Sequence, residues 1–299
     1  MSPESARHLP VLPREVIDLL DPRPGEVWVD ATIGAGGHAR LIAERVGPTG
    51  RVIGLDQDPT MLDLARGRLH GLPVELVHAN FDQLMGALAS VGLKEIDGLL
   101  ADLGFASDQM DAADRGFSFQ QDGPLDMRLD PTAGESAADL VARLSEYNLA
   151  KVIYEFGEER HSRRVARKIV ETRKQSPIRT TGQLAELVRS CVPREKGRHL
   201  DPATRTFQGL RIAVNDELGS LDRLLAQLPR AVKPGGRVGI ISFHSLEDRR
   251  VKQAFQDREA WEPVTKKPVQ AGDEEVRDNP RARSAKLRVA RRRSWAATP

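Results

Sequence analysis

The sequence has little cysteine and no long apolar run. Cys191 is the only cysteine among 299 residues, so neither an internal disulfide nor a cysteine-based zinc site is expected, as is typical of cytosolic proteins. The longest apolar runs, such as residues 238–243, have the length of a strand and fall far below the ~18 residues of a membrane span. The N-terminus lacks a basic segment followed by an apolar one, which argues against secretion. We therefore expect a cytoplasmic protein without membrane contact.

The composition is that of a globular protein, with 39% hydrophobic and 29% charged residues. The chain exceeds the usual size of one core, so we expect a large domain and a smaller one. The net charge of +2 indicates little, but seven Lys and Arg residues fall within 281–293, and residues 158–174 are also basic. Such clusters suit a polyanion. Taken singly, each fits a solvated helix face or a solvated tail equally well.

Strand and helix patterns alternate through the first third of the chain. Short apolar segments occupy residues 27–29, 52–55, 74–77 and 96–101, and a fifth follows much later at residues 237–243. Strands that alternate with helices indicate a parallel sheet covered on both faces. The predicted fold class is therefore α/β, with a Rossmann-like sheet.

The alternation stops after the fourth strand and gives way to helical patterns. We expect helices at residues 136–147, 158–174 and 181–192, and a long helix at residues 202–228, broken at Gly209 or Gly219.

Three segments follow from this organisation. We expect the sheet domain to comprise residues 1–107 and 206–299, and a helical, substrate-binding domain to comprise residues 108–205. Near the C-terminus, residues 264–269 and 285–290 are expected to form a hairpin at the sheet edge, ahead of a basic tail.

A glycine-rich segment follows the first strand. Gly34, Gly36 and Ala39 fit the pattern G-x-G-x-x-G/A, and Asp56 lies 22 residues beyond Gly34, at the end of the second strand. An acid at that position can accept the hydroxyls of a ribose. The pattern alone does not separate a nicotinamide dinucleotide from S-adenosylmethionine.

Acidic residues at the strand ends favour S-adenosylmethionine. Asp30 directly precedes the loop, where its charge would repel a pyrophosphate and attract the cationic amine of S-adenosylmethionine. Asp102 ends the fourth strand, and Phe81 follows the third, so these residues are expected to surround one crevice. Each acid alone fits a turn-capping role. His38 alone fits a local hydrogen bond, and no set of partners for a metal site is recognisable.

Eight motifs that follow one another along the chain carry a resemblance to a known family. They are His8-Leu9-Pro10-Val11-Leu12, Gly34-Ala35-Gly36-Gly37-His38, Asp102-Leu103-Gly104, Arg115-Gly116-Phe117-Ser118-Phe119, Asp122-Gly123-Pro124-Leu125-Asp126-Met127-Arg128, Gly157-Glu158-Glu159-Arg160, Asp201-Pro202-Ala203-Thr204-Arg205-Thr206-Phe207-Gln208 and Ile241-Ser242-Phe243-His244-Ser245-Leu246-Glu247-Asp248-Arg249. Over residues 8–255 the chain resembles the RsmH (MraW) family of bacterial ribosomal RNA methyltransferases.

The resemblance implies a class I methyltransferase fold and methylation of the exocyclic N4 amine of a cytidine in small-subunit (16S) ribosomal RNA, near the decoding centre. It implies cofactor contacts at Gly36, Gly37, His38, Asp56, Phe81, Asp102 and Gln109. The chain departs from the family pattern after Gly104, where Phe105-Ala106-Ser107 and Asp108 replace a small aliphatic residue, two serines and a proline.

Three residues are candidates for the chemistry. Asp102 is expected to accept a hydrogen bond from the amine or to orient it. Phe105 either stacks on the target base or packs in a core. His244 follows the fifth strand, as do Ser242 and Ser245, and it either contacts the nucleotide or shapes the turn.

Basic residues of the helical domain are expected to hold the phosphate backbone. These are Arg160, Arg163, Arg164, Arg167, Lys168 and Arg205. The arginines of the C-terminal tail are expected to add to this grip.

Three alternatives stay open from the sequence. A nicotinamide-dependent dehydrogenase would show nicotinamide binding, and a non-catalytic RNA-binding or assembly factor would bind the cofactor without turnover. A small-molecule methyltransferase is disfavoured only by the basic clusters. The number of subunits, and whether the substrate is naked RNA or an assembled subunit, do not follow from the sequence.

Overall fold

The structure is a computed structural model that describes residues 10–105, 109–110, 112–193 and 201–294. The chain divides into two compact units: unit 1 comprises Met1–Gly104 and Leu218–Pro299, and unit 2 comprises Phe105–Glu217. The family motif residues His8 and Leu9 lie outside the described residues, as do the departures at 106–108. Within the described ranges, no helix is long and apolar enough to cross a membrane.

Unit 1 contains a seven-stranded sheet. Its strands are β1 (Val27–Asp30), β2 (Arg51–Asp56), β3 (Val74–His78), β4 (Ile96–Asp102), β5 (Val232–Ser242), β6 (Trp261–Pro263) and β7 (Lys286–Arg292). The strand order is β3-β2-β1-β4-β5-β7-β6. Neighbours among β1 to β5 are parallel, and β7 runs antiparallel to β5 and β6. The predicted α/β fold with a Rossmann-like methyltransferase sheet is confirmed.

The central strands are apolar because both of their faces are covered. Along β4, Leu99 and Ala101 enter one core cluster while Leu100 enters the other, as the two-residue period of a strand requires. The strand order reverses between β1 and β4, whose carboxyl ends therefore border the crevice in which ligands of open α/β sheets bind.

The helices are numbered through both units. They are α1 (Pro13–Leu20), α2 (Gly37–Val46), α3 (Pro59–Arg68), α4 (Leu84–Ser90), α5 (Ala137–Arg143), α6 (Glu146–Glu155), α7 (Ser162–Arg173), α8 (Thr181–Cys191), α9 (Ala203–Val214), α10 (Glu217–Ala231), α11 (Ser245–Phe255) and α12 (Asp273–Asp278). Short 3₁₀ helices occupy Phe81–Gln83, Ala113–Arg115 and Pro280–Ser284.

Helices α5 to α9 form unit 2 around a core of their own. Side-chain caps define where several of them begin. Ser136 and Asp139 form a capping box at α5, Ser145 accepts the N–H of Asn148 at α6, and Thr180 with Gln183 forms a second capping box at α8. Each cap satisfies N–H groups that the helix itself leaves unpaired.

The long helix expected at residues 202–228 is two helices, and neither glycine breaks it. The break falls at Asn215 and at Asp216, which has a φ of 46°. Asn215 Oδ1 accepts the N–H of Leu129 at 2.7 Å, and its Nδ2 donates to the carbonyl of Met127 at 2.7 Å. The Asn215 side chain therefore holds the backbone of a loop of unit 2 in place. The domain limit predicted at residue 205 falls inside α9, which packs into the core of unit 2.

The basic C-terminal segment is a strand and not the expected tail. Residues 286–292 form β7, which lies between β5 and β6 inside the sheet. The hairpin expected between residues 264–269 and 285–290 is confirmed in part. The paired strand is β6 at residues 261–263; beyond it, the N–H groups of Val264 and Thr265 donate to the carbonyl of Val289, and residue 269 forms an isolated bridge to β7. The connection between the two segments contains α12.

Candidate functional site

The glycine loop between β1 and α2 is bound to two strands. The N–H of Ala31 donates to the carbonyl of Leu100 on β4 at 2.8 Å, and the N–H of Ile33 donates to Leu55 on β2 at 2.8 Å. The Ile33 side chain then packs where β2 has Gly54, because a Cβ on that glycine would lie 2.0 Å from Ile33 Cδ1. The backbone conformation of the loop is thus held from both sides of β1.

The glycines of the loop lead into helix α2. Gly34 has a φ of 48° and Gly36 a φ of 87°, in the left-handed region that glycine adopts without strain. Gly36 precedes the first turn of α2, and Gly37 is its first residue. A helix N-terminus that opens at the carboxyl edge of a parallel sheet is a ligand-binding arrangement.

Asp56 connects the loop to the second strand. Its Oδ2 accepts the N–H of Gly34 at 2.9 Å, and its Oδ1 accepts the N–H of Asp58 at 2.9 Å. Burial raises the pKa of Asp56 to about 6, against the lowering effect of the N–H groups of Asp58 and Gly34. Asp58 in turn caps α3 by accepting the N–H of Thr60.

Asp30 and Asp102 end the two strands between which the order of the sheet reverses. Burial raises the pKa of Asp30 to about 7, and the neighbouring Asp56 carboxylate adds to the effect. Burial raises the pKa of Asp102 to about 8, with further contributions from Asp30 and Glu247. Because β1 pairs in register with both β2 and β4, the three predicted acids Asp56, Asp30 and Asp102 end neighbouring strands at one edge of the sheet.

His38 lies against the same cluster. Its side chain is 6% exposed, and its Nε2 lies 2.8 Å from the carbonyl oxygen of Val11. A carbonyl only accepts, so Nε2 carries the proton and Nδ1 faces Asp102 Oδ2, 3.8 Å away. His38 is therefore oriented by the segment that precedes α1.

These residues fit a cationic ligand that donates hydrogen bonds. Asp102 Oδ1 is a buried oxygen without a hydrogen-bond partner among the described residues. A buried acceptor of this kind costs free energy until a donor reaches it. Three neighbouring carboxyl groups with raised pKa values likewise gain stability from a nearby cation. The cationic end of S-adenosylmethionine supplies such a cation, whereas a pyrophosphate would be repelled.

Two further residues were predicted to contact the cofactor. Phe81 begins the 3₁₀ helix after β3 and packs, half-buried, against the core of unit 1. Gln109 is buried in unit 2, and its contact with the cofactor stays a prediction.

The segment after β5 holds His244. Its side chain is 12% exposed, and Nε2 lies 3.1 Å from Glu247 Oε1 on α11. Glu247 Oε2 also accepts the N–H of Phe243 at 2.8 Å, so this acid shapes the turn. Ser242 donates to the carbonyl of Lys286 at 3.4 Å and belongs to the sheet.

Phe105 lies within unit 2, and its ring packs against residues of that unit. It stacks on Phe117 with a centroid distance of 5.2 Å, and the guanidinium of Arg211 lies 4.8 Å from its centroid. These contacts account for core packing, one of the two roles considered. Stacking on a base stays a prediction.

The acidic motif at residues 122–128 fixes a loop within unit 2. Asp122 Oδ1 accepts the N–H of Gly182 at 2.8 Å, in the first turn of α8, and this bond lowers the pKa of Asp122. Asp126 forms a two-point ion pair with Arg128. This motif had no assignment from the sequence because its partner, the start of α8, lies some 60 residues away.

The predicted RNA-binding residues all belong to unit 2. Arg163, Arg164, Arg167 and Lys168 are exposed on α7, and Arg160 is exposed just before it. Arg205 is half-buried on α9. The structure therefore gathers five of the six on one helix and its approach.

The C-terminal arginines do not form the expected free grip. Arg288 is paired with Asp248 at 2.7 Å, and Arg292 donates to the carbonyls of Pro229 and Ala260. Both are buried. Arg281 was counted with this tail, yet its charge lowers the pKa of Asp102, so it lies close enough to influence the acid cluster. Only the folded chain reveals this proximity.

The chain matches the model of the MraW methylase family over residues 5–293. Three similar proteins carry the name ribosomal RNA small subunit methyltransferase H. That of Sorangium cellulosum is 52% identical, covering 97% of this chain and 92% of its own length. Those of Deinococcus radiodurans (50% identical, 97% and 91%) and Pelobacter propionicus (48% identical, 95% and 97%) are similar over the same extent.

Solved structures resemble the chain more distantly. A putative rRNA methylase of Clostridium thermocellum has a TM-score of 0.46 and 12% identity, covering 93% of this chain and 94% of that one, too remote to bear on function. The match to the family model supports the predicted cofactor, S-adenosylmethionine. Because the family model spans almost the whole sequence and relatives at 48% to 52% identity share its full length, the chain belongs to the MraW methylase family.

Proposed function

We propose that this protein uses S-adenosylmethionine to methylate the exocyclic N4 amine of a cytidine in small-subunit (16S) ribosomal RNA, near the decoding centre. The names of its relatives support ribosomal RNA of the small subunit as substrate. The cytidine, its N4 amine and the decoding centre are what the family resemblance implies. One observation supports an amine as the methyl acceptor: the buried Asp102 Oδ1 lacks a hydrogen-bond partner among the described residues. We place the protein in the cytoplasm with the assembled small subunit as its substrate.

Asp30, Asp56 and the glycine loop would hold the cofactor, and His38 would border it. The cofactor supplies a methyl group on a positively charged sulfur. Asp30 and Asp102 would lie near its cationic end, and Asp56 would accept hydrogen bonds from the hydroxyl groups of its ribose. Gly36 and Gly37 allow close approach of the backbone. In unit 2, Gln109 is proposed as a further contact.

Asp102 is the proposed acceptor for the target amine. The lone pair of a cytosine amine is delocalised into the ring, so transfer depends on orienting that amine in line with the methyl group. A carboxylate at Asp102 accepts one N–H of the amine and takes the proton that the nitrogen loses when its bond to carbon forms. His244 and Phe105 are proposed as nucleotide contacts.

The test is methyl transfer from labelled S-adenosylmethionine to small ribosomal subunits that lack the modification, read by mass spectrometry of the digested nucleosides. We expect label in N4-methylcytidine. Asp102→Asn should lower the rate by ~10²-fold or more, whereas Asp63→Asn, at an exposed position on α3, should not change it. Label in a different nucleoside would contradict the assignment of the amine. Cofactor binding without any transfer would favour an assembly factor.

The helical segment of residues 108–205 is proposed to bind the RNA backbone through Arg160, Arg163, Arg164, Arg167, Lys168 and Arg205. Reversing the charge of Arg163 and Arg164 together should weaken binding of RNA and flatten its dependence on salt, because each lost phosphate contact removes ~0.7 to 0.9 from the slope of log K against log salt. Cofactor binding should stay unchanged. Equal loss of RNA and cofactor binding would indicate unfolding instead.

A further inference from the structure

Both tyrosines of the protein are exposed on one helix of unit 2. The chain contains two tyrosines, Tyr147 and Tyr154, and their exposed fractions are 78% and 61%. Both lie on α6. Large rings are usually at least partly covered in a folded protein, and solvent-exposed aromatic residues on one element indicate a binding surface.

Helical geometry places the two rings on one stripe. Leu149 and Ile153 form the buried side of α6. At 3.6 residues per turn, Tyr147, Lys151 and Tyr154 project from the opposite side, and the two rings are separated by roughly 10 Å along the axis. We call these three residues the tyrosine stripe. Its lysine is 57% exposed, and its partner Glu155 lies 3.9 Å away on the surface.

The stripe borders the basic helix α7. Glu146, next to Tyr147, lies 3.5 Å from Arg167 of α7. Helix α9 packs on the other side of α6, where a Cβ on Gly209 would lie 3.2 Å from the carbonyl of Val152. The exposed Arg163 precedes Arg167 by one turn of α7, so these two arginines share the edge that faces α6.

Charge complementarity selects an anionic partner for this surface. Residues 146–174 contain eight Lys and Arg residues against five Glu residues. The ion pairs of Lys151 and Arg167 lie at exposed positions, where such pairs contribute little and yield to a phosphate. Rings that alternate with cations suit a strand whose bases are unstacked, because each base offers a face for stacking and each phosphate a charge.

We propose that the tyrosine stripe and the neighbouring Arg163 and Arg167 bind a single-stranded stretch of RNA. Bases stack on Tyr147 and Tyr154, and phosphates contact Lys151 and the two arginines. The identity of that RNA as ribosomal RNA rests on the proposed function. Duplex RNA would not fit this surface, because its bases are stacked on one another.

The small number of tyrosines permits a direct test. Protein labelled with ¹³C in tyrosine gives ring signals from two residues only. We expect both to shift on titration of the full chain with oligocytidylate, owing to the ring currents of stacked bases. Inorganic polyphosphate carries the charge without bases and should compete for binding while leaving both ring signals in place. Unmoved signals at saturating oligocytidylate would overturn the proposal, as would equal shifts with polyphosphate.

Variants separate the rings from the fold. Tyr147→Ala and Tyr154→Ala should each weaken oligocytidylate binding by about 5- to 100-fold, the loss expected for one base-stacking contact. Tyr147→Phe and Tyr154→Phe keep the ring and should retain the affinity. Leu64→Ala, which removes another exposed apolar side chain on α3, should have no effect. Equal affinity of the alanine and phenylalanine variants would refute stacking.

Methyl transfer by the wild-type protein separates this inference from the proposed function. If the wild type methylates small subunits and the alanine variants retain both oligocytidylate affinity and transfer, the inference fails and the function stands. If the wild type transfers no methyl group but the ring signals shift as expected, the surface stands and the function fails. Alanine variants that lose transfer to assembled subunits while binding oligocytidylate normally would assign the stripe to a ribosomal protein and overturn the inference.

Discussion

The charge of Asp30 should destabilise the protein in the absence of the cofactor. Asp30 is 1% exposed, and burial raises its pKa from 3.8 to about 7. A carboxyl group whose pKa is raised on folding stabilises the fold while it is protonated, and this contribution is lost as the pH rises from about 4 to about 7. A pKa difference of about three corresponds to about 4 kcal/mol. Ionised Asp30 therefore destabilises the fold by about 4 kcal/mol at pH 8 and by about 2 kcal/mol at pH 5.

Asp30→Asn removes the charge and retains an oxygen that accepts the N–H of Thr32. We therefore expect the free energy of unfolding to increase by about 4 kcal/mol at pH 8 and by about 2 kcal/mol at pH 5. Urea unfolding at both pH values measures this difference. The same variant should lose affinity for S-adenosylmethionine, because the cation loses its partner.

The control is Asp63→Asn, since Asp63 is 74% exposed and its replacement should change stability by less than about 0.5 kcal/mol at either pH. An increase for Asp30→Asn that does not depend on pH would refute the electrostatic reasoning. A decrease at pH 8 would show that the ionised carboxylate stabilises the loop as a hydrogen-bond acceptor.

Two further predictions concern side-chain packing and ion pairing in unit 1. Gly54→Ala places a methyl group 2.0 Å from a loop side chain and should cost ~1 to 3 kcal/mol of unfolding free energy and weaken cofactor binding in calorimetry. Gly67→Ala, on α3 with open space around it, should instead stabilise by ~0.5 to 1 kcal/mol; a loss there, or none at Gly54, would contradict the packing argument. Arg288→Ala leaves a largely buried aspartate unpaired and should cost ~3 to 5 kcal/mol. Arg291→Ala, three residues beyond in exposed surroundings, should cost less than ~1 kcal/mol in the same urea titration; similar losses of stability at both positions would contradict the argument that burial makes the difference.

The local sequence pattern predicted where the acidic residues at the strand ends would lie. Asp30, Asp56 and Asp102 each end an apolar strand, and the carboxyl ends of parallel strands meet at one edge of a sheet. Their proximity therefore followed from the strand order, and the structure pairs β1 with both β2 and β4. The helical interval between the fourth and fifth strands was equally visible, because its apolar residues follow the period of a helix.

Other features depend on partners that are distant in the sequence. The break after α9 comes from Asn215, whose amide binds a loop more than 80 residues earlier, whereas glycine was the only local signal for a break. Nothing in the sequence indicated that the two tyrosines share a helix, because the predicted helix ended at residue 147. Only the observed course of α6, with its buried side turned to the core of unit 2, leaves both rings on the surface.

The sequence by itself determined the type of fold, the order of its elements and the chemical character of the crevice, because period, strand ends and glycine spacing are local properties of the chain. The tertiary structure decided which charges are available. In the sequence, Arg288 and Arg292 belong to a basic segment that was expected to be free, but in the fold they lie on β7 and form an ion pair and backbone hydrogen bonds. Asp102, by contrast, retains a buried oxygen without a partner among the described residues. Burial and pairing arise from residues far apart in the chain, so a charge's role becomes visible only after the chain has folded.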